Sequence, residues 1–351
     1  MDLLPYLKLV AERGASDLYL TANAPIKIRH EGKVLSVGKN ELTAEHVRAA
    51  ANALMSEDQR EFYESNLECD FAIEPDSVGR FRVNVFSQRG TPAMAMRYIP
   101  AEVPEFDTLG LPPVLKELIM HRRGLLLMVG PTGSGKTTSL ASLIRYRANE
   151  RTGHILTIED PIEFSHPNSR SIVNQREIGQ DTHSYMNALR SAVRETPDVI
   201  LIGEIRDRDT LESSIQLAGT GHLTISTLHA NNASQALERI LNLFPDQQQH
   251  KLLMDLSVNL RAIISQRLVL TKDERRVPAV EVMLNTPYVA ELIAKGDVEG
   301  IKQALDSSGE RGMQSFDAAL HKLYKEERIT LDEALSHADS RANLEAKISF
   351  G

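Results

Sequence analysis

Gly130-Pro131-Thr132-Gly133-Ser134-Gly135-Lys136-Thr137 decides the reading of this chain. It follows the apolar run Leu125-Leu126-Leu127-Met128-Val129 and precedes a helix-compatible stretch through Arg147. A buried strand that ends in such a loop lets backbone N–H groups wrap a phosphate chain, while the helix behind it points its positive end at the same anion. In this setting Lys136 is expected to reach the β- and γ-phosphates, Thr137 to hold Mg²⁺, and Thr138 to extend the contact set into the helix. A Gly-rich turn without a ligand is the alternative, and the strand–loop–helix setting argues against it.

Three further apolar runs lie downstream: His154 to Ile158, Asp198 to Ile202 and Leu223 to Ser226. Short apolar strands separated by helical stretches predict an α/β domain with a parallel sheet covered on both faces, whose ligands bind at the carboxyl ends of the strands. After the second strand comes Glu159-Asp160-Pro161-Ile162-Glu163, which suits Mg²⁺ coordination or the holding of a water for attack, or else is a solvated acidic turn. After the third comes Gly203-Glu204-Ile205-Arg206-Asp207, with Gly203 where an aspartate is common, so Glu204 carries the acidic role alone. Of the carboxylates, Glu163 is expected to be the general base and Glu204 the organiser on the metal side.

The predicted helix Ser184 to Glu195 puts Arg190 and Arg194 on one face, for charge stabilisation of a γ-phosphate or for an ion pair with a neighbouring helix. His222 and His229 bracket the fourth strand, too far apart in extended chain to share one metal. His229, at the carboxyl end, is expected to bond a phosphate, Glu204 or a neighbouring subunit; two satisfied core histidines are the other reading. Asp209 with Glu212 and Asn232 with Gln235 are expected to cap the helices that flank this strand.

Before residue 100 the pattern changes to that of a smaller α+β module. A helix from Leu4 to Arg13, a hairpin at Glu31-Gly32 and a helical stretch from Thr43 to Asn66 precede alternating strands around Gly79 to Val85 and Ala93 to Ile99. Within the helical stretch, Ser56 and Gln59 fit a capping box. Pro100-Ala101-Glu102-Val103-Pro104-Glu105 is the expected hinge. The division is therefore residues 1–100, a linker 101–114, and an ATPase domain 115–351.

Composition excludes several classes. A chain of 351 residues, 42% hydrophobic, holds two cores rather than one. The formal net charge of −8 gives no general attraction to nucleic acid, and no nucleic-acid partner is expected. Cys69 is the only cysteine, so neither a disulfide framework nor a cysteine-rich zinc site can form. With no secretory leader and no apolar stretch of spanning length, a cytoplasmic location is expected.

Four blocks carry a resemblance: Ile155 through Glu163, Val173-Asn174-Gln175-Arg176-Glu177, Gly203 through Asp207, and Thr220-Gly221-His222 with Thr227-Leu228-His229. Together with Gly14-Ala15-Ser16-Asp17-Leu18 and Gly312 through Asp317, they resemble the secretion ATPase superfamily. Over nearly the whole chain the likeness is to its twitching-motility branch, which retracts type IV pili. The resemblance implies a RecA-like ATPase domain preceded by a PAS-like domain, a homo-hexamer, ATP and Mg²⁺. It also implies an inner-membrane pilus platform protein as partner, a place at the pilus base, and Arg82 and Arg97 as arginines that meet the nucleotide. Where retraction motors commonly carry Ala-Ile-Arg after Thr-Pro, this chain has Tyr288-Val289-Ala290. That departure and the tail from His337 make it look more like the accessory paralogue, which would partner a second retraction ATPase. A DNA-translocating ATPase shares the loop but lacks support elsewhere in the sequence.

Overall fold

The computed structural model describes residues 1–99, 102–307 and 312–350. Pro100 and Ala101 of the expected hinge lie outside the described residues. The chain divides into two compact units, one of Met1–Glu102 with Glu163–Ser165 and one of Val103–Ile162 with His166–Gly351.

The first unit runs α1 (Leu4–Glu12), β1 (Asp17–Thr21), β2 (Pro25–His30), β3 (Lys33–Glu41), α2 (Ala44–Leu54), α3 (Glu57–Asn66), β4 (Glu68–Ile73), β5 (Arg80–Gln88) and β6 (Thr91–Ile99). Its six strands form one antiparallel sheet in the order β3-β2-β1-β6-β5-β4. Alternation sets the faces: on β5, Phe81, Val83 and Val85 are buried and pack with Leu18, Met94, Met96 and the apolar faces of α1 and α2. The helical stretch breaks at Met55, where Ser56 and Gln59 form the capping box that opens α3.

In the second unit the order is α4 (Val114–Ile119), β7 (Gly124–Val129), α5 (Lys136–Glu150), β8 (Gly153–Glu159), β9 (Ser171–Glu177), α6 (Tyr185–Ala192), β10 (Val199–Ile202), α7 (Arg208–Gly219) and β11 (Leu223–Leu228). Then follow α8 (Ala233–Asn242), α9 (Asp246–Asn259), β12 (Leu260–Leu270), β13 (Arg276–Leu284), α10 (Pro287–Lys295), α11 (Val298–Ser307), α12 (Phe316–Lys325), α13 (Leu331–Ser336) and α14 (Arg341–Phe350). The sheet order is β13-β12-β7-β11-β10-β8-β9, parallel except for the edge strand β13. The four strands read from sequence are there, and β9, β12 and β13 extend the sheet beyond them.

β7 is buried along its whole length because both faces of the sheet are covered. Leu125, Leu127 and Val129 pack with α7, α8 and α9, while Leu126 and Met128 pack with α4 and α5. Phe106 and Leu111, in the segment expected as a linker, are buried in the second of these clusters, so their apolar side chains tie that segment to the sheet. The cap of α7 is Asp207, whose Oδ1 accepts from the Thr210 N–H at 2.8 Å, in place of Asp209 and Glu212. α7 starts at Arg208, so Asp209 and Glu212 already lie inside the helix. Asn232 and Gln235 cap α8 as read from sequence.

Glu281 is one of several carboxylates buried in the second unit, with Glu177 and Asp317 among the others. Glu281 on β13 accepts from the Ala233 N–H at 2.8 Å and from the Ser265 hydroxyl at 2.9 Å, both at Oε1. Burial outweighs these bonds and pushes its pKa up to about 7. The folded state then keeps a proton that the unfolded chain releases near 4.5, so stability falls as pH rises from 4.5 to 7 and the full cost remains above 7. Glu281→Gln retains the Oε1 acceptor and removes the charge. Chemical denaturation should find the variant more stable than wild type at pH 8 by on the order of 3 kcal/mol, with the gain shrinking toward pH 5. A gain independent of pH would contradict this account.

Candidate active site

The phosphate-binding loop sits at the carboxyl end of β7, where the strand order turns to β12 on one side and β11 on the other. That is the crevice in which open parallel sheets bind ligands. Gly130 has φ 153°, and a Cβ there would lie 2.5 Å from the Gln266 carbonyl and 2.6 Å from the Ser134 hydroxyl. Gly135 has φ 85° and stands at the N-cap of α5 with no side-chain cap, which leaves the first N–H groups of the helix without a side-chain acceptor. Pro131, Thr132, Gly133 and Thr137 are exposed and Thr138 is half-buried.

Lys136 is 8% exposed and donates from Nζ to the carbonyls of Gly130 at 2.7 Å and Pro131 at 2.9 Å. Burial lowers its pKa, and the charge of Glu204 opposes that shift. The buried Ser134 hydroxyl has no hydrogen-bond partner. An uncapped helix end, an unpaired buried hydroxyl and a buried ammonium within one loop fit an anionic phosphate chain. Open space borders the loop on two sides. A cavity of about 550 Å³ runs from Pro131–Ser134 to Arg267, Arg276 and His337, and another of about 500 Å³ runs from Pro131 to His229, Asn231 and Arg239.

Carboxylates of the second unit gather at the carboxyl ends of β8 and β10. Glu204, just past β10, accepts from His229 Nε2 at 3.1 Å and from Arg206 Nε at 3.0 Å. Arg206 also approaches Asp160 at 3.7 Å, so one guanidinium spans the ends of β8 and β10. Glu159 is buried and accepts from the Thr157 hydroxyl at 2.6 Å and from Gln175 at 3.1 Å. Glu163 is exposed and falls to the first unit. Among the described residues no cluster of three or more metal-ligating side chains forms. A Mg²⁺ held by Thr137 and the carboxylate side of Glu204 fits this donor set, because that ion commonly completes its shell with substrate phosphates and water.

The two histidines part company. His229 joins the site, whereas His222 sits at the amino end of β11, its Nδ1 3.2 Å from the Leu217 carbonyl and its own carbonyl bonded to the Gly124 N–H. The six strand residues between them separate the two by roughly 20 Å. Arg190 and Arg194 are both exposed, and Arg194 lies beyond the end of α6, so they share no continuous helical face. In the first unit Arg82 and Arg97 are directly paired across β5 and β6 and therefore share a sheet face. Asp17, paired with both Arg97 and Arg29, bonds Arg97 at 3.0 Å and lies 3.4 Å from Arg29. The row holds three arginines and one aspartate.

Two residues near the acidic set were not readable from sequence as functional. Arg206 was visible only as part of a motif. Tyr185, half-buried on α6, faces Asp160, Glu159 and Glu204, and burial with those charges pushes its pKa well up. Its hydroxyl lies 2.9 Å from where a Cβ at residue 203 would stand. The Ile158 carbonyl at 3.3 Å and the Glu159 Cα at 3.4 Å further confine a side chain at this place.

Comparison with known proteins agrees with this geometry. The family model described as type II/IV secretion system protein matches residues 3–326. The type IV pilus ATPase PilU of Pseudomonas aeruginosa is 47% identical, with 100% of this chain and 92% of PilU covered. The retraction ATPase PilT of the same organism is 40% identical, with 96% of this chain and 98% of PilT covered. A crystal structure of the pilus retraction motor PilT with bound ADP superimposes with a TM-score of 0.91 at 41% identity, covering 98% of this chain and 99% of that one.

The packing at residue 203 yields a test. Gly203→Ala should destabilise the chain by about 1–3 kcal/mol through overpacking, and Tyr185→Phe in the same chain should recover most of that loss. Thermal unfolding of the single and double variants measures both. Additive losses would show that the hydroxyl does not set the glycine.

Proposed function

The chain belongs to the type II/IV secretion system protein family, and from that premise we propose that it is an ATPase whose turnover drives type IV pilus retraction and twitching motility. The observation that carries the reading is the joint placement of a phosphate-binding loop and the Glu204–His229–Arg206–Asp160 set at one end of a parallel sheet. A homo-hexamer on the cytoplasmic side of the inner membrane, bound to a membrane platform protein, is part of the proposal. Its support is the likeness to pilus motors.

In this reading the loop N–H groups and Lys136 bind the β- and γ-phosphates and neutralise charge as the terminal P–O bond breaks. Glu163 accepts the proton of the attacking water, while Glu204, held by Arg206 and His229, orients the metal side. Thr137 and Glu204 would hold a Mg²⁺, which would supply charge neutralisation on the phosphate oxygens. Because His229 bonds Glu204 directly, it is placed to report the phosphate state to the loop that opens α8. Arg82, Arg97, Arg190 and Arg194 are proposed as the guanidinium groups that answer γ-phosphate charge.

A second reading, an accessory role beside a paralogous retraction motor, is favoured by the higher identity to PilU than to PilT and by Tyr288-Val289-Ala290 at the start of α10. Retraction measured in cells with each motor deleted separates the two readings. The primary reading requires retraction to persist when the paralogue is absent.

Lys136→Ala should abolish ATP turnover in protein with native circular dichroism, and Glu204→Gln should lower it by about 10²-fold while nucleotide still binds. Phosphate release from the purified variants reads both. Wild-type turnover in either would remove that residue from the mechanism.

A further inference from the structure

The Gln266 side chain on β12 is 2% exposed, yet it is polar and far in sequence from the loop. Register places it there: Ser265 pairs with Val129, so Gln266 lies level with the first residue of the phosphate-binding loop. Its carboxamide makes two bonds of opposite sense. Nε2 donates to the Ser134 carbonyl at 2.7 Å, and Oε1 accepts from the Ser139 hydroxyl, itself buried on α5, at 2.8 Å. The backbone is equally close, because a Cβ on Gly130 would strike the Gln266 carbonyl and one on Gly135 would come 2.8 Å from Nε2. Both ends of the loop and the first turn of α5 are therefore packed on one residue.

The neighbours of Gln266 face the other way. Ser265 bonds Glu281, which holds the Ala233 N–H at the start of α8. Arg267 donates to the Asn231 carbonyl at 3.2 Å and to the His337 carbonyl at 2.6 Å, and it pairs with Asp339 at 2.5 Å. Asn231 is two residues past His229, so consecutive residues of one strand hold the loop beneath the phosphates and the segment behind the histidine.

We propose that Gln266 is a positioning residue for ATP hydrolysis, its carboxamide fixing the phosphate-binding loop to the strand that also holds the loop after His229. The inference rests on the ATPase reading and concerns how that site is kept in shape. A carboxamide is suited to this place because one group must donate to a carbonyl and accept from a hydroxyl. A carboxylate serves only the second bond, and an apolar side chain serves neither while leaving two buried polar groups unsatisfied.

The test compares Gln266→Glu, Gln266→Leu and Ser139→Ala with wild type and with Lys136→Ala, reading ATP turnover and the affinity for fluorescent ADP. Gln266→Leu should weaken ADP binding by about tenfold or more and raise KM, as the loss of two buried bonds implies. Gln266→Glu should lose nearly as much, since it removes the bond to the loop, and Ser139→Ala should lose less. Adding Ser139→Ala to Gln266→Leu should bring almost no further loss, because both act through one carboxamide. Should Gln266→Leu destabilise the fold, Gln266→Glu and Ser139→Ala still carry the comparison at a temperature where all are folded. Wild-type KM and ADP affinity in both Gln266 variants, or fully additive losses, would overturn the proposal. Inactive wild-type protein, by contrast, would overturn the ATPase reading itself.

Discussion

Helix α5 begins without a side-chain cap, and most of the site follows from that constraint. A helix N-terminus left with free N–H groups is costly unless an anion or water meets them. Here Gly135 occupies the capping position in the left-handed region, and the neighbouring Ser134 hydroxyl is buried without a partner. Such a loop keeps its shape only if other parts of the fold hold it. β7 fixes its start, Lys136 bonds back to the carbonyls of Gly130 and Pro131, and Gln266 ties it to β12.

The charged residues around the loop are arranged so that few act alone. Arg206 reaches both Glu204 and Asp160, and Glu204 reaches His229, which makes the ends of β8, β10 and β11 one electrostatic unit. Groups linked in this way respond together when a phosphate is bound or lost, which is what a motor needs if chemistry is to change structure. From His229 the chain leads through Asn231 into α8, where Glu281 accepts from the Ala233 N–H and Arg267, paired with Asp339, donates to the Asn231 carbonyl.

Much of this was legible in the sequence, for identifiable reasons. The loop, the four central strands and the carboxylates after them were readable because apolar runs and glycines dictate local structure without help from distant residues. β12 was not, because Arg261, Ser265, Gln266 and Arg267 interrupt its apolar run, and the burial of Ser265 and Gln266 depends on partners far along the chain. Asp207 and not Asp209 caps α7, a choice that local sequence leaves open because the two acidic residues lie only two positions apart. His222 and His229 were separable in sequence, because a parallel strand carries only its carboxyl end to the ligand crevice, and His229 stands there. Tyr185 gave no signal at all, since its place beside Gly203 arises from the packing of α6 on the sheet.

The central claim is that the loop binds a nucleotide through its terminal phosphates. Competition binding measures it directly, with fluorescent ADP on the purified chain displaced by unlabelled ATP, ADP and AMP in the presence of Mg²⁺. The account predicts displacement by ATP and ADP at similar low concentrations, and by AMP only at far higher ones, because AMP has no phosphate to reach Lys136 and the start of α5. Displacement by AMP as effective as that by ADP would contradict it.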